Sequence, residues 1–146
     1  MKPNDFFRKL QNQIPQLKRD ITKQIVQVEA ENFHADNFRR EGFTDRGFTK
    51  WQKRKRADKN PKRRSLLVKT SALKRAATRG SANQSLGRVR FKFPAKYMRV
   101  HNEGLRAGRG KGFKMPKRQF VGKSWKLQQA VQRKANILIQ RKLKGL

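Results

Sequence analysis

The stretch FHADNFRREGFTDRGFTKW, residues 33–51, places a phenylalanine at every fifth position and ends in Trp51. A period of five matches neither the roughly 3.6-residue period of a helix nor the two-residue period of a strand, so the rings cannot lie on one buried face of a single regular element. Glycine precedes Phe43 and Phe48, which predicts successive turns that each bring one ring into a common pocket. We therefore predict an irregular aromatic anchor segment over 33–51, held by the large apolar area of its rings.

The residues before this stretch predict a long amphipathic helix. From Leu10 to Val28, apolar side chains recur three or four positions apart, which is the spacing of one helical face. Pro15 interrupts the pattern, because a proline inside a helix removes one hydrogen bond and clashes one turn back, at a cost of about 3 kcal/mol. We expect an N-terminal helical region over 4–32, either kinked at the proline or divided into helices 4–13 and 15–32.

The apolar stripe of this helix has two possible uses. It could be the seam of a coiled coil, or the face by which an ordinary amphipathic helix packs on its own chain. The stripe covers barely three heptads and has no consistent charge pairing beside it, so we favour packing on the chain itself. Its members are Leu10, Ile14, Leu17, Ile21, Ile25 and Val28.

Positive charge is concentrated in the later part of the chain. The 146 residues include 40 Lys and Arg against nine Asp and Glu, a formal net charge of +31. Residues 1–46 hold nine of the basic residues and seven of the acids, so they carry +2 and residues 47–146 carry +29. Because such an excess repels itself, the sequence predicts a polyanion or an acidic protein as partner.

Two runs of basic residues predict long, solvated loops, over 52–64 and 106–118. Such loops could neutralise the phosphates of a nucleic acid without reading its sequence, or they could meet an acidic protein surface. The sequence leaves both partners open. The candidate contact residues are Lys53, Arg54, Lys55, Arg56, Lys62, Arg63, Arg64, Arg106, Arg109, Lys111, Lys114 and Lys117.

Residues 65–122 predict a sheet with one short helix. The helix should end near Gly80, and alternation of apolar residues with arginines and lysine predicts a half-buried strand over 88–93. A second strand is expected over Tyr97–His101, and residues 123–143, which lack Gly and Pro, predict a C-terminal helix. The predicted fold class is α+β. It is a single domain over 1–146, in which an antiparallel sheet is flanked by a long N-terminal helix and a C-terminal helix, with two long basic loops.

The residues that catalysis would need are scarce. The chain has no cysteine, and after Asp45 only Asp58 and Glu103 carry a carboxylate. Hydrolysis by paired carboxylates or by a bound metal needs acids that converge, and no phosphate-binding loop or nucleophile elbow occurs. We therefore expect no enzymatic activity, no metal and no cofactor. His34 and His101 are interpreted as structural residues.

Four short motifs occur in an order that resembles the virion-morphogenesis, or tail-completion, proteins of tailed bacteriophages, including the Mu-like ones. The motifs are GFTDRGFTKW, LLVKTSALKRA, YMRVHNEG and MPKRQFVGKS. The matching positions are Trp51, Leu67, Thr70, Leu73, Tyr97, His101, Gly104, Arg118, Phe120 and Gly122. Two departures stand out: Ser71 and Ala72 occupy the place where the family usually has a glycine after the threonine, and Met98 replaces an alanine.

The resemblance implies a non-enzymatic structural subunit of the phage neck, where the head joins the tail. It implies a homo-oligomeric ring of about six or twelve copies around the DNA channel. Its partners would be other neck, connector and tail proteins, and packaged double-stranded DNA would lie within reach of the basic loops. The expected location is the virion, after synthesis in the host cytoplasm, with no membrane. The motif order also predicts a shared core of Trp51, Leu67, Leu73, Phe91 and Tyr97.

A second class of function stays open beside the first. A non-enzymatic, basic nucleic-acid-binding protein of the ribosomal or nucleoid-like kind would explain the charge. It would not explain the order of the four motifs. The genes beside this one separate the two classes, because portal, capsid and tail-tube genes are expected only around a neck protein.

Overall fold

The computed structural model describes residues 2–55, 65–68, 70–93 and 95–145. A continuous helical rod comes first, made of α1 (Pro3–Asp20), a π-helical segment (Ile21–Gln27) and α2 (Val28–Arg40). The predicted α+β class is confirmed, because antiparallel strands lie between this long helix and a C-terminal one. The later elements are β1 (Gly42–Thr44), β2 (Phe48–Lys50), α3 (Ala72–Ala77), β3 (Gly80–Asn83), β4 (Arg88–Phe91), α4 (Ala95–Glu103), β5 (Arg106–Ala107), β6 (Phe113–Lys114) and α5 (Trp125–Lys144).

The N-terminal helix is longer and less interrupted than predicted. It passes through Pro15 without a break and continues beyond residue 32 to Arg40. Proline at position 15 leaves the carbonyl of Gln11 without its helical donor, but both residues are exposed, so water can bind that carbonyl. The prediction of an irregular segment is therefore wrong over 33–40, which is helical.

The aromatic stretch spans several regular elements, and its rings do not share one pocket. Phe33 and Phe38 lie on α2, Phe43 on β1 and Phe48 on β2. Phe33 packs edge-on against Phe43, with ring centroids 5.7 Å apart, whereas Phe38 packs against Trp51 at 5.6 Å. Phe48 is 40% exposed. The prediction of a common pocket is wrong.

The core lies where α2, α3 and the chain before α5 meet. Leu73, Trp51 and Phe120 are buried in it, and the predicted core member Leu67 packs at its edge. Phe91 contacts the ring of His34 instead, and Tyr97 is 51% exposed, so the prediction is wrong for these two. The buried members are Phe38, Trp51, Leu66, Leu73, Ala77 and Phe120.

The strands form three separate two-stranded antiparallel hairpins rather than one sheet. β1 pairs with β2, β3 with β4, and β5 with β6. In β4 the side chains of Val89 and Phe91 are half-buried and the two arginines are exposed, as the alternation predicts. Both the β3–β4 hairpin and α5 pack against the π-helical segment, so the rod is the element on which the rest of the fold assembles.

Residues 97–101 lie within α4, so the prediction of a strand there is wrong. Met98 and His101 are partly buried at helical spacing, and Met98 packs against the core. On the exposed side, Arg99 pairs with Glu103 one turn later, at 3.3 Å. The helix ends at Gly104, where φ is +73°.

The C-terminal helix α5 forms as predicted for residues 123–143. It runs antiparallel to the N-terminal rod, because Lys134 pairs with Glu29 and Lys142 lies 3.9 Å from Asp20. The backbone N–H of Trp125 donates to the Asp45 carboxylate at 2.7 Å, which places a negative charge at the start of α5. Within the described ranges, no helix combines the length and apolar character that crossing a membrane requires.

Candidate polyanion-binding surface

Residues from the four motifs meet in space. Trp51, Leu73 and Phe120 are members of one buried core. The indole Nε1 of Trp51 donates a 2.6 Å hydrogen bond to the carbonyl of Gln119, and the backbone N–H of Phe120 donates to the side-chain oxygen of Asn102 at 3.0 Å. The fold therefore turns a linear order of motifs into one packed unit.

Arg118 ties this unit together. It is buried, its Nε donates to the carbonyl of Gln52 at 3.0 Å, and its backbone N–H donates to the carbonyl of His101 at 2.8 Å. Burial, followed by the positive charge of Arg54, lowers the pKa of Arg118. These bonds give the residue a structural role. They also place the start of the first basic segment beside the end of the second.

Ser71, together with Ala72, occupies the place where the resemblance predicts a glycine. Its φ of 56° and ψ of 6° lie in the left-handed region, directly before α3. Glycine adopts this region freely, whereas other residues adopt it at a cost of about 1–2 kcal/mol. The backbone here thus has the conformation that a glycine would favour, although the sequence holds a serine.

His101 has the surroundings of a structural residue. Its Nδ1 is buried and has no hydrogen-bond partner among the described residues. Burial, and then the charge of Arg118, lowers the pKa of His101 below its usual value near 6.5, so its ring is mostly neutral at pH 7. The carboxylate of Glu103, which could have oriented the imidazole ring, binds Arg99 instead.

Gly104 lies where the chain passes close to Lys117. A Cβ on Gly104 would lie 2.9 Å from the Cβ of Lys117.

The remaining positions of the resemblance are not among the buried core residues. Thr70 and Tyr97 are exposed. Leu67 is half-buried and has a φ of 59°. Gly122 has a φ of 149°, and a Cβ there would meet the side-chain nitrogen of Gln119 at 2.6 Å.

The first basic segment is described at its ends. Lys53, Arg54 and Lys55 are exposed. Arg54 donates to the carbonyl of Ser65 at 3.2 Å, which holds the two ends of the segment close together. The other predicted contact residues, Arg56, Lys62, Arg63 and Arg64, lie outside the described residues.

The second basic segment is a hairpin rather than an open loop. β5 and β6 pair so that Arg106 lies opposite Lys114, and three glycines with positive φ form the turn between them. Like charges opposite each other on neighbouring strands destabilise a hairpin, and no acid lies in this segment to offset them. A polyanion bound here would remove that repulsion. All five predicted contact residues are exposed: Arg106, Arg109, Lys111, Lys114 and Lys117.

The acids of the rod and of β1–β2 are already engaged within the chain. Glu31 accepts the backbone N–H of Gly80 at 2.8 Å, and Glu41 accepts that of Leu66 at 2.7 Å. Asp36 pairs with two neighbouring arginines on α2. None of the five basic residues of the second segment has an ion-pair partner in the part of the chain that the structure describes. No group of three potential metal ligands occurs there either.

Basic residues outside the two segments were not among the predicted contact residues. Arg88 and Arg90 are exposed on β4. The alternation of that strand with Val89 and Phe91 predicted them as one basic face, but not as contact residues. On α5 the exposed basic residues without an ion pair among the described side chains are Lys126, Arg133, Arg141 and Lys144.

Comparison with known proteins returned no match: no protein-family model, curated protein or solved structure resembles the chain closely enough to be assigned. The likeness to the phage family therefore rests on the residues and their order, and it stays a prediction. The polyanion-binding surface, consisting of the exposed basic residues of both segments, rests on charge and exposure.

Proposed function

We propose that the protein is a structural subunit of a tailed-phage neck, which joins head to tail as a ring of copies around the DNA channel. One observation carries the proposal. Trp51, Leu73 and Phe120 come from three motifs that are far apart in the sequence, yet they pack in one core. The resemblance predicts that the motif residues pack together, and these three do so.

The geometry of Ser71 and Gly104 supports the same proposal. Both positions have positive φ, at 56° and 73°, and they fall at family positions where glycine is usual or present. Local backbone requirements of this kind are what short motifs preserve, because they follow from the fold and not from the partner. The side chains described near these two positions bind within the chain, which fits a subunit that serves as a structural part of an assembly.

The basic surface supplies the second part of the proposal. Arg118 brings the start of the first basic segment, at Gln52, next to the end of the second. In a ring around a DNA channel, that region would meet either the phosphates of the packaged genome or acidic surfaces of neighbouring neck proteins. Both partners remain candidates.

The alternative is a basic nucleic-acid-binding protein of the cell. The observation that favours it is the unpaired charge of Arg106, Arg109 and Lys111, which any polyanion would neutralise. It gives no account of the order of the four motifs.

Mass spectrometry of purified phage particles tests the proposal. We expect the protein in intact particles, at about six or twelve copies each, and labelled antibody should locate it by electron microscopy at the head–tail junction. As a matched sample, the ribosome and nucleoid fractions of the same cells should lack it. Absence from particles together with enrichment in either cellular fraction would replace the proposal by the alternative.

A further inference from the structure

The β3–β4 hairpin has one half-buried face and one exposed face. The half-buried face packs on the π-helical segment of the rod, and two further contacts fix it there. The carbonyl of Gly80 accepts a 2.9 Å hydrogen bond from the side chain of Gln27, and the ring of Phe91 stands edge-on to His34, with centroids 4.8 Å apart. The hairpin is therefore held firmly by the rod, which leaves its other face free to meet a partner.

The exposed face is a small basic sheet. Arg90 of β4 pairs with Ser81 of β3, and Arg88 pairs with Asn83. Alternate residues of a strand lie on the same side, so both pairs share one face, and all four residues are exposed. Beyond the paired residues, one exposed basic residue at each end continues the alternation. We call these six residues the ribbon face: Arg79, Ser81, Asn83, Arg88, Arg90 and Lys92.

The charge of the ribbon face is not neutralised by the described part of the chain. The face holds four basic residues and no acid. None of the four has an ion-pair partner among the described side chains. Glu31, the acid that reaches this hairpin, accepts the backbone N–H of Gly80 at 2.8 Å and the side chain of Gln27 at 3.0 Å. The ribbon face therefore presents uncompensated positive charge to solvent.

The polar groups of the ribbon face are mainly hydrogen-bond donors. An arginine side chain has five N–H donors and no acceptor. The side-chain oxygen of Asn83 accepts the backbone N–H of Leu86 at 3.0 Å, so its amide nitrogen is the group that remains for a partner. The hydroxyl of Ser81 can donate as well. A complementary partner carries negative charge and acceptor oxygens, as phosphates and carboxylates do.

The composition of the ribbon face favours phosphates over the carboxylates of a protein. Protein interfaces are organised around buried aromatic or other large anchors, and their cores are depleted in lysine and serine. The ribbon face has no apolar side chain, since Leu86, the exposed apolar residue next to it in sequence, belongs to the turn. Contacts to nucleic-acid backbones are made by arginine, lysine, serine and asparagine side chains, which are the residue types of this face.

The aromatic residues of this region favour a duplex over a single strand. Proteins bind single strands by stacking the bases on exposed aromatic rings. Phe91 contacts His34, and Phe93 contacts Phe120 with ring centroids 5.8 Å apart, so both rings are used within the chain. The ribbon face itself contains no ring on which a base could stack.

We propose that the ribbon face binds the phosphate backbone of duplex DNA. Arg88 and Arg90 lie about 7 Å apart along β4, since a strand rises about 3.4 Å per residue. A duplex carries one negative charge per about 1.7 Å of its axis, so both guanidinium groups meet phosphates whatever the base sequence. The site is separate from the two basic segments, and it does not rest on the proposed neck function, because a DNA-binding protein of the cell could use it equally.

The salt dependence of DNA binding tests the proposal. With a short labelled duplex, the variant Arg88→Gln with Arg90→Gln should reduce the slope of log affinity against log salt by about 0.9 for each phosphate lost, which is about 1.8 for two. Two duplexes of unrelated sequence should give the same result. The matched control, Arg133→Gln with Arg141→Gln, removes two exposed arginines of α5 and should keep the wild-type slope. Unchanged circular dichroism and thermal unfolding show that both variants fold.

Two outcomes of this experiment would overturn the proposal. An equal reduction of the slope in the α5 control would mean that net charge governs binding, and not the ribbon face. A wild-type slope in the Arg88 and Arg90 variant would remove DNA as the partner and leave the face to an acidic protein.

Cross-linking gives a second readout that keeps both arginines in place. Because the chain has no cysteine, Ser81→Cys and Gln128→Cys each introduce one exposed thiol that can carry a photo-cross-linker. We expect the Ser81→Cys protein to cross-link duplex DNA at least about fivefold more efficiently, because bound DNA stays at a high effective concentration beside residue 81. Equal yields from the two positions would contradict the proposal, and a higher yield with single-stranded DNA than with the duplex would overturn the assignment to a duplex.

Discussion

The indole Nε1 of Trp51 donates a hydrogen bond of 2.6 Å to the carbonyl of Gln119, a residue 68 positions later in the chain. The indole is buried and stands edge-on to Phe38 of α2. The neighbouring residues form a second bond, in which the side chain of Arg118 donates to the carbonyl of Gln52. Together the two bonds hold the start of the first basic segment against the end of the second.

Replacing Trp51 by phenylalanine should lower the free energy of unfolding. The change keeps an aromatic ring but removes the N–H group, so a part-buried hydrogen bond to the carbonyl of Gln119 is lost, at a cost of about 0.5–1.5 kcal/mol. Urea unfolding followed by circular dichroism measures the difference. The matched control is Trp125→Phe, because Trp125 is 50% exposed. Equal effects of the two substitutions would show that the hydrogen bond does not contribute.

Leu73→Ala should destabilise the protein by about 2–5 kcal/mol, since Leu73 is 6% exposed in the core and its removal leaves a cavity. Gln128→Ala serves as control, because Gln128 is exposed on α5. Thermal unfolding of both variants decides the matter. A shift for Leu73→Ala no larger than that of the control contradicts its burial beside Trp51 and Phe120.

Ser71→Gly should stabilise the protein, although it removes a side chain. Ser71 has a φ of 56°, and glycine relieves a left-handed strain of about 1–2 kcal/mol. The gain is reduced by about 0.5–1 kcal/mol, because glycine gives the unfolded chain more freedom. Ala72→Gly, one residue later in α3, lacks the first effect and should destabilise. If both glycine variants lose stability equally, the left-handed conformation at residue 71 is wrong.

Local patterns predicted those elements whose buried side is apolar throughout. α5 presents Leu127, Val131 and Leu138 at helical spacing, and β4 alternates Val89 and Phe91 with arginines. In both cases the period of the apolar residues equals the period of the element, so no distant contact is needed to recognise it. The excess of positive charge was equally visible, because it needs only a count.

Elements whose burial depends on distant partners were not predicted. In α2, the buried residues His34 and Asn37 are polar, and they are accepted in the interior because their side chains bind the carbonyls of Ala77 and Phe120. Those partners lie 43 and 83 residues away, so the local pattern at 33–40 contains no sign of a helical buried face. Met98 similarly gives α4 its packing side only because the core is beside it.

Stability should fall as pH is lowered through the histidine range. Burial lowers the pKa of His34, and its Nδ1 lies 2.8 Å from the carbonyl of Ala77, so it must carry the proton that is donated. Below a pH of about 6.5, the unfolded state takes up a proton that the folded state does not accept. The full stability is therefore present above that pH and is lost progressively below it, by at most about 1.4 kcal/mol per pH unit for one histidine.

His34→Asn tests this dependence, because an asparagine amide can still donate near the carbonyl of Ala77 while it does not titrate. Thermal unfolding between about pH 5.5 and 7.5, where histidine is the side chain that titrates, should show a shallower pH dependence than the wild type. Adding His101→Asn should flatten it further, because burial also lowers the pKa of His101. An unchanged slope in the double variant contradicts the buried, neutral state of both rings.

The basic hairpin should bind duplex DNA through phosphates if it faces the genome. Replacing Arg106, Arg109, Lys111 and Lys114 by glutamine should then reduce the slope of log affinity against log salt by about 0.9 for each phosphate that the variant no longer neutralises. The fold should survive, since the change removes a like-charge pair across the hairpin. The matched control replaces four exposed basic residues of α5 by glutamine, which makes the same charge change elsewhere: Lys126, Arg133, Arg141 and Lys144.

Measuring phage-particle assembly with the same variants separates the two candidate partners of the hairpin, which are duplex DNA and acidic neck proteins. A hairpin that binds acidic neighbours in a phage neck predicts a failure of assembly with a DNA salt slope like that of the wild type, whereas a genome-facing hairpin predicts the reduced slope. An equal reduction of the slope in the α5 control would mean that net charge, and not the hairpin, governs binding. A wild-type slope together with normal assembly would contradict both DNA binding and binding of acidic neck proteins by the hairpin. The opposed charges of Arg106 and Lys114 would then have no partner.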